Sequence, residues 1–445
     1  MGKYFGTDGF RGEAGKTLTS FHAYNIGRFL GGYFGKDKRA KIVIGKDTRR
    51  SGYMFEYALC AGLISSGADA YILHVTTTPS VSYVVRTEGF DCGIMISASH
   101  NPFCDNGIKL INDKGEKMSD DIILEVEKYI DREIGEFPFA TGKDIGRAID
   151  YVSGRNRYCG YLISLAHHSY KGMKVGLDAS NGSAWMLAKN VFDALGAETY
   201  IINNSPDGLN INENCGSTHI DGLSELVKRE KLDIGFAFDG DADRCLCVDC
   251  RGNVLTGDHI VYACAGYMKK RNELSGNTVA VTIMSNMGLF RALDKIGVKY
   301  IKTDVGDKNV FDAMRQNGLS LGGEESGHII FSKHASTGDG LITAIKVMEV
   351  LIESKGTSDE LCKGFEMYPQ HLINVRVNDK NAAVNNEKVL EEVEGARRTL
   401  GNGGRILLRK SGTEPVVRVM VEAESEEMCL KCASAVANKI KELKL

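Results

Sequence analysis

The sequence has no excess of positive charge and no long apolar run. Its 55 lysines and arginines face 58 aspartates and glutamates, which leaves a net charge of -3. This balance argues against a nucleic-acid partner and against an anionic membrane surface. No apolar run reaches the roughly 18 residues that span a bilayer, and the first residues lack an apolar signal core. We therefore expect a cytoplasmic protein with no nucleic-acid or membrane partner.

The sequence also lacks a clear cysteine framework, although it contains 12 cysteines. In a chain of 445 residues without a signal core we expect these thiols to stay reduced. Two pairs have C-x-x-C spacing, Cys247/Cys250 and Cys429/Cys432. A four-thiolate zinc site would require both pairs to converge from distant segments, so we interpret them as small core residues.

Three segments repeat one pattern, in which a β-rich run is followed by a helical run, a glycine and a second β-rich run. They begin at Lys41, Met173 and Thr278, and the glycines are Gly67, Gly196 and Gly297. A glycine at this place is the expected left-handed end of a helix. Strand–helix–strand alternation indicates parallel βαβ units. We predict three similar mixed α/β domains in series.

The last part of the chain has a different pattern. From about residue 370 the order is strand, helix, two strands and a final helix. This order is typical of a small α+β domain with helices on one face of an antiparallel sheet. The predicted domains are residues 1–150, 151–252, 253–368 and 369–445.

An acidic loop follows the predicted strand I-G-F-A-F. Asp239, Asp241 and Asp243 alternate there, and three carboxylates so close together repel unless a cation neutralises them. Hard oxygen ligands favour Mg²⁺ or Ca²⁺. A calcium EF-hand also begins D-x-D-x-D, but it needs glycine and glutamate where this chain has Arg244 and Cys250. A solvated acidic turn is the remaining alternative, and we favour a magnesium site.

A serine, a histidine and a lysine stand close together in the stretch I-S-A-S-H-N-P-F-C-D-N-G-I-K-L. They are Ser99, His100 and Lys109, in a segment too interrupted by proline and glycine to form a helix. No G-x-S-x-G elbow surrounds the serine, which weakens an acyl-transfer reading, and no Walker A sequence indicates a P-loop kinase. A hydroxyl nucleophile beside a metal loop favours phosphoryl transfer.

Two further turns carry polar groups of defined chemistry. In G-G-E-E-S-G-H, glycines bracket acidic and hydroxyl side chains that suit sugar hydroxyls, although an acidic turn is an equal alternative. In L-R-K-S-G-T-E-P-V-V-R, hydroxyls and two arginines around a glycine suit a phosphate dianion, with a charged hairpin as the alternative. The residues concerned are Glu324, Glu325, Ser326 and His328 in the first turn, and Arg409, Ser411, Gly412, Thr413 and Arg418 in the second.

Two N-terminal stretches combine glycine, hydroxyls and cations. F-G-T-D-G-F-R-G contains Thr7 and Arg11, and G-K-D-T-R-R-S-G contains Lys46, Arg49 and Arg50. Either stretch has a simple surface turn as its alternative reading.

Taken in order, five of these stretches resemble the α-D-phosphohexomutase superfamily. They are G-T-D-G-x-R-G, S-A-S-H-N-P, D-G-D-A-D-R, G-E-x-S-G-H and R-x-S-G-T-E-P, and together they cover essentially the whole chain. Two longer stretches, I-S-A-S-H-N-P-F-x-D-N-G-I-K and P-D-G-x-N-I-N-x-x-C-G-S-T-H, are most similar to bacterial members that act on glucosamine phosphates. The resemblance implies four domains around a central cleft. Phe10, Lys46, Glu325 and the pair Lys308-Asn309 depart from the pattern of the superfamily, which puts substrate preference in question more than reaction type.

The resemblance also implies roles for individual residues. Ser99 would be the phosphoserine, and its phosphate would hold one Mg²⁺ per subunit together with Asp239, Asp241 and Asp243. Glu324 and Ser326 would bind sugar hydroxyls. Proton transfer and charge stabilisation would fall to Lys109, His328 and Arg11, while His100 would shape the site. The phosphate that is not transferred would be held by Arg409, Ser411, Gly412, Thr413 and Arg418.

The reaction that this resemblance implies is the interconversion of glucosamine 6-phosphate and glucosamine 1-phosphate. A hexosamine 1,6-bisphosphate would be both intermediate and activator, and the product would feed UDP-N-acetylglucosamine and cell-wall synthesis. The alternatives are a phosphomannomutase/phosphoglucomutase and a non-catalytic sugar-phosphate sensor on the same fold. A homodimer and a cyclic-dinucleotide synthase partner are further expectations from the resemblance.

Overall fold

The computed structural model describes residues 2–411 and 415–443. Internal contacts divide the chain into two units, and the first comprises Met1–Met284 and Val298–Lys363. The second comprises Ser285–Gly297 and Gly364–Leu445. Within the described ranges, no helix is both long enough and apolar enough to cross a membrane.

The first sheet of the first unit contains seven strands and is accompanied by four helices. The strands are β1 (Phe5–Gly6), β2 (Gly9–Glu13), β3 (Lys41–Lys46), β4 (Asp69–Val75), β5 (Cys92–Ile96), β6 (Asp105–Asn112) and β7 (Ala148–Asp150). The helices are α1 (Ser20–Phe34), α2 (Ser51–Ser65), α3 (Thr78–Glu88) and α4 (Asp120–Ile130). The strand order is β1-β2-β6-β5-β3-β4-β7. Central strand β5 is buried along its whole length, as expected for a strand covered by helices on both faces.

The second sheet of this unit contains the strands that flank the acidic loop. Its strands are β8 (Lys174–Asp178), β9 (Glu198–Ile202), β10 (Ile234–Phe238), β11 (Cys245–Asp249) and β12 (Val254–Leu255). The helices of this part of the chain are α5 (Val152–Ser164), α6 (Leu187–Ala194) and α7 (Asp221–Glu230). The order is β12-β11-β10-β8-β9, and β10 pairs antiparallel with β11. The acidic loop is therefore the turn of a hairpin.

The third sheet has four strands in the order β14-β13-β15-β16. They are β13 (Thr278–Thr282), β14 (Lys299–Thr303), β15 (Leu321–Gly323) and β16 (Ile329–Phe331). Helices α8 (Gly257–Lys270), α10 (Asp307–Asn317) and α11 (Gly340–Ser354) belong to the same unit, while α9 (Met287–Lys295) belongs to the second unit.

The second unit is built on an antiparallel sheet of three strands in the order β17-β19-β18. Its elements are β17 (Gln370–Arg376), α12 (Lys380–Asn385), α13 (Glu387–Leu400), β18 (Gly404–Lys410), β19 (Val416–Ala423) and α14 (Glu426–Glu442). Apolar side chains of α13 and α14 share one core with those of β19. The predicted α+β architecture is confirmed, and the short helix α12 was not indicated by the sequence pattern.

The three predicted repeats are present as parallel strand pairs. Strand β3 pairs with β4, β8 with β9, and β13 with β14, in each case parallel. Gly67, Gly196 and Gly297 follow the intervening helices with φ angles of 85°, 95° and 64°. These angles lie in the left-handed region that glycine occupies without a steric penalty. The mixed α/β prediction for the first three parts of the chain is therefore confirmed.

Two helices begin with the same histidine-containing cap. The Thr256 backbone N–H donates to Nδ1 of His259 at the start of α8, at 3.2 Å, and Thr19 and His22 form the same arrangement at the start of α1. An imidazole nitrogen that accepts a hydrogen bond must be unprotonated. Burial accordingly lowers the pKa of His259 from 6.5 to about 4.

We expect this cap to make stability sensitive to acid. Between pH 6.5 and about 4 the unfolded chain binds a proton at His259 that the folded chain does not bind. The contribution to the free energy of unfolding is therefore complete above pH 6.5 and is lost as the pH falls toward 4. Its upper limit is about 3 kcal/mol, because each pKa unit corresponds to 1.36 kcal/mol. His259→Gln keeps a side chain that can complete the cap but cannot titrate.

The check is the thermal midpoint of wild type and His259→Gln at neutral pH and near pH 4.5. The wild type should lose more stability on acidification than the variant. His219→Gln, which removes an exposed imidazole, should behave like wild type. Equal acid sensitivity of wild type and His259→Gln would contradict the assigned role of this cap.

Candidate active site

Ser99 lies in a tight bend directly after β5. Its φ angle is 53°, and only 1% of the residue is exposed. The Ser99 backbone N–H donates to Oγ of Ser97 at 2.9 Å, and that hydroxyl donates to Oδ2 of Asp47 at 2.6 Å. The bend is therefore defined by hydrogen bonds and presents the Ser99 hydroxyl in a fixed direction.

Two buried side chains from other segments of the chain stabilise the bend by donating hydrogen bonds to its carbonyl oxygens. The Arg49 guanidinium donates to the carbonyl oxygens of Ser99 and Asn101 at 2.8 and 2.9 Å. The Asn212 amide donates to the same two oxygens at 2.8 and 3.0 Å. Arg49 is fully buried, so the surface-turn alternative is wrong for this residue. Asn212 belongs to the P-D-G-x-N-I-N stretch and connects it physically to the serine.

The acidic loop reaches this serine. The hydroxyl of Ser99 donates to Oδ2 of Asp239 at 2.5 Å. One carboxylate oxygen from each of Asp239, Asp241 and Asp243 lies within 4.8 Å of the others, and all three residues are buried. The reading of this loop as a solvated acidic turn is therefore wrong.

The electrostatics of the three carboxylates suit a divalent cation. Burial and the neighbouring carboxylates of Asp243 and Asp241 raise the pKa of Asp239 well above its ordinary value. The Oδ1 atoms of Asp241 and Asp243 are buried and accept no hydrogen bond from the described residues. A hard cation would satisfy both oxygens and remove the mutual repulsion. The donor set therefore fits Mg²⁺, and the Ser99 oxygen lies next to it, in contact with Asp239.

Lys109 connects the serine strand to the acidic loop. It lies opposite Met95 in the antiparallel pair of β6 and β5. Its ammonium lies 2.8 Å from Oδ2 of Asp241 and 3.6 Å from Oδ2 of Asp243. Burial lowers the pKa of Lys109, but Asp241, Asp8 and Asp243 raise it to a net value well above the ordinary one. The ammonium stays charged, which suits stabilisation of negative charge on a transferring phosphoryl group.

Asp8 is the centre of a second set of ion pairs. Its carboxylate accepts a short hydrogen bond from the Arg11 guanidinium and lies 3.2 Å from the Lys109 ammonium and 3.1 Å from the Lys117 ammonium. Burial raises the pKa of Asp8, but these three cations hold it well below its ordinary value. Lys117 in turn lies 2.7 Å from Oδ2 of Asp307. Arg11 and Lys109 were predicted from the sequence as site residues, whereas Asp8, Lys117 and Asp307 were not.

His328 stands at the start of β16 with its ring buried. Nδ1 lies 3.7 Å from Oδ2 of Asp243, and Nε2 lies 3.8 Å from Oδ2 of Asp307. Burial and the Gly338 N–H, which donates to Nε2 at 3.0 Å, favour the neutral ring. The Asp243 and Asp307 carboxylates favour the imidazolium and raise the pKa to about 9. These opposed demands suit a group that gives and takes back a proton.

His100 and Arg244 lie beside the serine with different charges. Nδ1 of His100 is 3.4 Å from the Ser99 hydroxyl. Burial, followed by the charges of Arg244 and Arg11, lowers the pKa of His100 to about 4, so this ring is neutral. Arg244 lies 3.9 Å from Oδ1 of Asp243, and its pKa is raised above the ordinary value because the carboxylates outweigh its burial.

The candidate sugar loop is tied to the acidic hairpin. The Cys245 N–H at the start of β11 donates to the carbonyl of Gly327 at 3.0 Å. Gly327 has a φ of 89°, and a side chain there would lie 2.4 Å from the carbonyl of Cys245, so only glycine fits. Glu324 is half-buried and accepts from the Gly306 N–H at 3.0 Å, whereas Ser326 is exposed.

The candidate phosphate loop belongs to the second unit. Arg409 and Arg418 are direct partners across β18 and β19. Burial, followed by the charge of Arg418, lowers the pKa of Arg409, as expected when a second cation faces it. Ser411 is buried. Gly412 and Thr413, which the sequence also assigns to this loop, lie outside the described residues.

Four family models match the chain. They are described as phosphoglucomutase/phosphomannomutase alpha/beta/alpha domains I, II and III and the C-terminal domain. The matched residues are 2–135, 156–252, 256–368 and 372–439. The chain therefore belongs to the phosphoglucomutase/phosphomannomutase family, within the α-D-phosphohexomutase superfamily.

A curated relative with a more specific name is similar over nearly the whole chain. The phosphoglucosamine mutase of Lachnospira eligens is 65% identical over 444 residues, which are 99% of each chain. Among solved structures, a phosphoglucomutase/phosphomannomutase family protein from Burkholderia thailandensis has a TM-score of 0.82 at 25% identity, covering 99% of this chain and 97% of its own.

A second solved structure shares the fold at lower identity. The N-acetylphosphoglucosamine mutase of Aspergillus fumigatus, in complex with GlcNAc-6P and magnesium, has a TM-score of 0.69 at 18% identity. That match covers 99% of this chain and 96% of the fungal chain.

Proposed function

We propose that this enzyme interconverts glucosamine 6-phosphate and glucosamine 1-phosphate. Two of its relatives carry the name phosphoglucosamine mutase, which supports the proposal. The observation that carries the proposal is the 2.5 Å contact between the Ser99 hydroxyl and Asp239, within a buried cluster of three carboxylates. An oxygen in that position can carry a phosphoryl group beside a divalent cation. The proposed cofactors are one Mg²⁺ per subunit and a phosphoryl group on Ser99.

The proposed reaction begins with phosphorylated Ser99 and glucosamine 6-phosphate. The O1 hydroxyl of the sugar attacks phosphorus, the bond between phosphorus and Ser99 Oγ breaks, and the hydroxyl proton passes to a base, for which the neutral form of His328 is the candidate. Lys109 and Arg11 would stabilise the charge on the phosphoryl oxygens, and bound Mg²⁺ would neutralise charge at the Ser99 oxygen. The product of this step is glucosamine 1,6-bisphosphate.

The second half of the proposed reaction returns a phosphoryl group to the enzyme. The bisphosphate turns so that its 6-phosphate faces Ser99, whose oxygen, left without a proton by the first step, attacks phosphorus as the bond to O6 breaks. O6 takes up a proton from the acid that the first step generated, and glucosamine 1-phosphate leaves. Glu324 and Ser326 would hold the sugar hydroxyls in both orientations. The phosphate that is not transferred would rest on the loop that contains Arg409, Ser411, Gly412, Thr413 and Arg418.

We expect Arg418→Ala to raise KM with little change in kcat. The guanidinium would bind the non-reacting phosphate equally in ground and transition states, so its loss weakens binding alone. A charged hydrogen bond contributes about 1.5–3 kcal/mol, which corresponds to a rise of roughly 10- to 150-fold in KM. Arg376→Ala, on neighbouring strand β17, is the matched control and should keep the wild-type KM. A collapse of kcat at constant KM would instead assign Arg418 to the transition state.

Substrate preference is tested by comparing kcat/KM for glucosamine, glucose and mannose 6-phosphates. Each assay should contain Mg²⁺ and the matching 1,6-bisphosphate. The proposal predicts the highest value for glucosamine 6-phosphate. A clear preference for glucose or mannose 6-phosphate would favour a phosphoglucomutase/phosphomannomutase, and a folded protein with no turnover would favour the sugar-phosphate sensor.

Several other expectations remain proposals. We propose, from sequence patterns, domain boundaries at residues 150, 252 and 368 and a cytoplasmic location. We propose, from the family resemblance, a homodimer and a cyclic-dinucleotide synthase partner. Size-exclusion chromatography with light scattering would test the homodimer directly, because a monomeric mass at micromolar concentration would exclude a stable one.

A further inference from the structure

A separate cavity lies among helices of the first unit. It has a volume of about 150 Å³ and is bounded by the end of α5, by α8, by the segment after β16 and by α11. None of its lining residues belongs to the candidate active site. Its inner wall contains the buried side chains of Phe331, Cys264 and Val350. The cavity is thus a defined space with an apolar wall, and its polar groups determine what it can bind.

Five basic side chains line this cavity: His167, Arg271, Lys333, His334 and Lys346. Arg271 is paired with Glu273 and Glu353. Over residues 2–411 and 415–443, no carboxylate lies within ion-pair distance of the other four. Lys346 and His334 are half-buried, whereas the other three are exposed. The cavity therefore collects four basic groups from three different segments without a carboxylate in direct contact with them.

The acidic residues of the lining are already engaged. Glu349 accepts hydrogen bonds from the His168 ring at 2.9 Å and from the His167 backbone N–H at 3.1 Å. Glu273 lies 3.1 Å from Nε of Arg271. Glu349 and Glu273 line the same cavity as Lys346, but neither carboxylate forms an ion pair with the Lys346 ammonium.

The basic groups disturb one another electrostatically. Burial lowers the pKa of Lys346. Burial also lowers the pKa of His334 to about 4, and the charges of Lys346, Lys333 and His167 contribute to that shift. At Lys346 the carboxylates of Glu349 and Glu273 oppose the effects of burial and of Lys333, whereas at His334 the repulsion from the three basic neighbours outweighs the attraction of Glu273. An anion in the cavity would relieve it, because it would favour the charged form of every basic group around it.

We propose that this cavity binds a small phosphate-bearing anion, either inorganic phosphate or a short phosphomonoester. Two ammonium groups and two imidazoles match the charge and the multiple acceptor oxygens of a phosphate dianion better than those of a single carboxylate. The volume is below the roughly 300–1,000 Å³ of sites for drug-sized ligands, so the occupant is small. The proposal does not rest on the function of the active site.

The test follows the His334 ring directly. Protein labelled with ¹⁵N-histidine contains 10 histidines, and His334→Gln assigns the relevant ring signals. Inorganic phosphate and, separately, glycerol 3-phosphate are titrated at constant ionic strength. We expect a saturable shift of the His334 signals and a rise in the pKa of this ring. His100 and His328 report any binding at the active site, so the two sites are distinguished in one experiment.

Three variants make the test specific. Lys346→Met removes the inner ammonium but keeps an unbranched side chain, and it should weaken binding by about tenfold or more, the effect of losing one charged hydrogen bond. Lys333→Met removes the exposed ammonium and covers the case in which Lys346→Met fails to fold. Lys270→Met, which removes an exposed lysine at the end of α8, should bind like wild type.

The outcomes separate cleanly. Tighter binding of glycerol 3-phosphate than of phosphate would identify a phosphomonoester as the occupant, and equal or weaker binding would identify inorganic phosphate. Unchanged His334 signals with both anions would overturn the proposal. If phosphate shifts the His334 signals of Lys346→Met and of Lys333→Met as strongly as those of wild type, the proposal is overturned as well.

Discussion

Replacement of Ser99 by alanine should abolish mutase turnover while leaving the fold intact. The variant lacks the only oxygen that the proposed mechanism places between the acidic loop and the sugar. Loss of a covalent nucleophile has lowered kcat by about 10⁶-fold in another enzyme, and we expect a loss of at least about 10⁴-fold here. The backbone at this position is left-handed, with a φ of 53°, and serine and alanine carry a similar steric cost there.

Ser180→Ala is the matched control for this prediction. Ser180 is also buried and also has a positive φ, of 51°, but its hydroxyl donates to the neighbouring carbonyl of Ala179 at 2.7 Å. Both variants should have thermal midpoints close to that of wild type, and only Ser99→Ala should lose turnover. Wild-type-like kcat in a folded Ser99→Ala variant would remove Ser99 from the reaction.

Asp8→Asn should lower kcat by about 10²- to 10³-fold, the usual cost of removing one pre-positioned electrostatic group from an active site. The Asp8 carboxylate holds Arg11, Lys109 and Lys117 together. An amide of the same shape removes the charge and leaves three cations that repel one another. Lys109 and Arg11 should then leave the positions from which they would stabilise a transferring phosphoryl group. Asp8→Glu should restore part of the activity because it restores the charge.

Asp69→Asn distinguishes positioning from general destabilisation. Asp69 is also buried and also bridges two cations, since Arg147 lies 2.6 Å away and Arg39 lies 3.4 Å away. Both asparagine variants should lower the thermal midpoint, but only Asp8→Asn should lower kcat at saturating substrate. Equal kcat in Asp8→Asn and wild type would show that the ion-pair network has no part in the reaction.

The fold was largely predictable because its signals are local. Each strand–helix–strand repeat is encoded within a short stretch, and the glycines after the helices mark their ends through a backbone preference that belongs to glycine alone. Helix α12 was missed because six residues are too few for a clear periodic pattern.

The candidate site was predictable only in its linear motifs. Asp239, Asp241 and Asp243 stand within five residues of one another, so their repulsion can be read from the sequence. Asp8 and Lys117 are 109 positions apart, and no local pattern brings them together. The signal that could have found Asp8 is its place between Thr7 and Arg11 in a motif that was singled out for its hydroxyl and cation alone.

The roles of Arg49 and Lys46 could not be separated from sequence. Both occur in G-K-D-T-R-R-S-G, yet Arg49 holds the serine bend, whereas Lys46 forms a buried ion pair with Glu56. Which cation faces the site depends on how β3 and α2 pack, and that information is tertiary. Lys46 is therefore a packing residue. The replacement of the arginine usual in the superfamily by Lys46 affects this buried ion pair and not a direct contact with Ser99.

The most direct measurement of the central claim is the location of the phosphoryl group on the enzyme. The protein should be incubated with Mg²⁺ and glucosamine 1,6-bisphosphate and then analysed by intact mass and phosphopeptide mapping. We predict one phosphoryl group per chain, located on Ser99. Addition of glucosamine 6-phosphate should remove this group from Ser99 and release glucosamine 1,6-bisphosphate. Sustained turnover by protein that never carries phosphate on Ser99, or that carries it on another residue, would contradict the account.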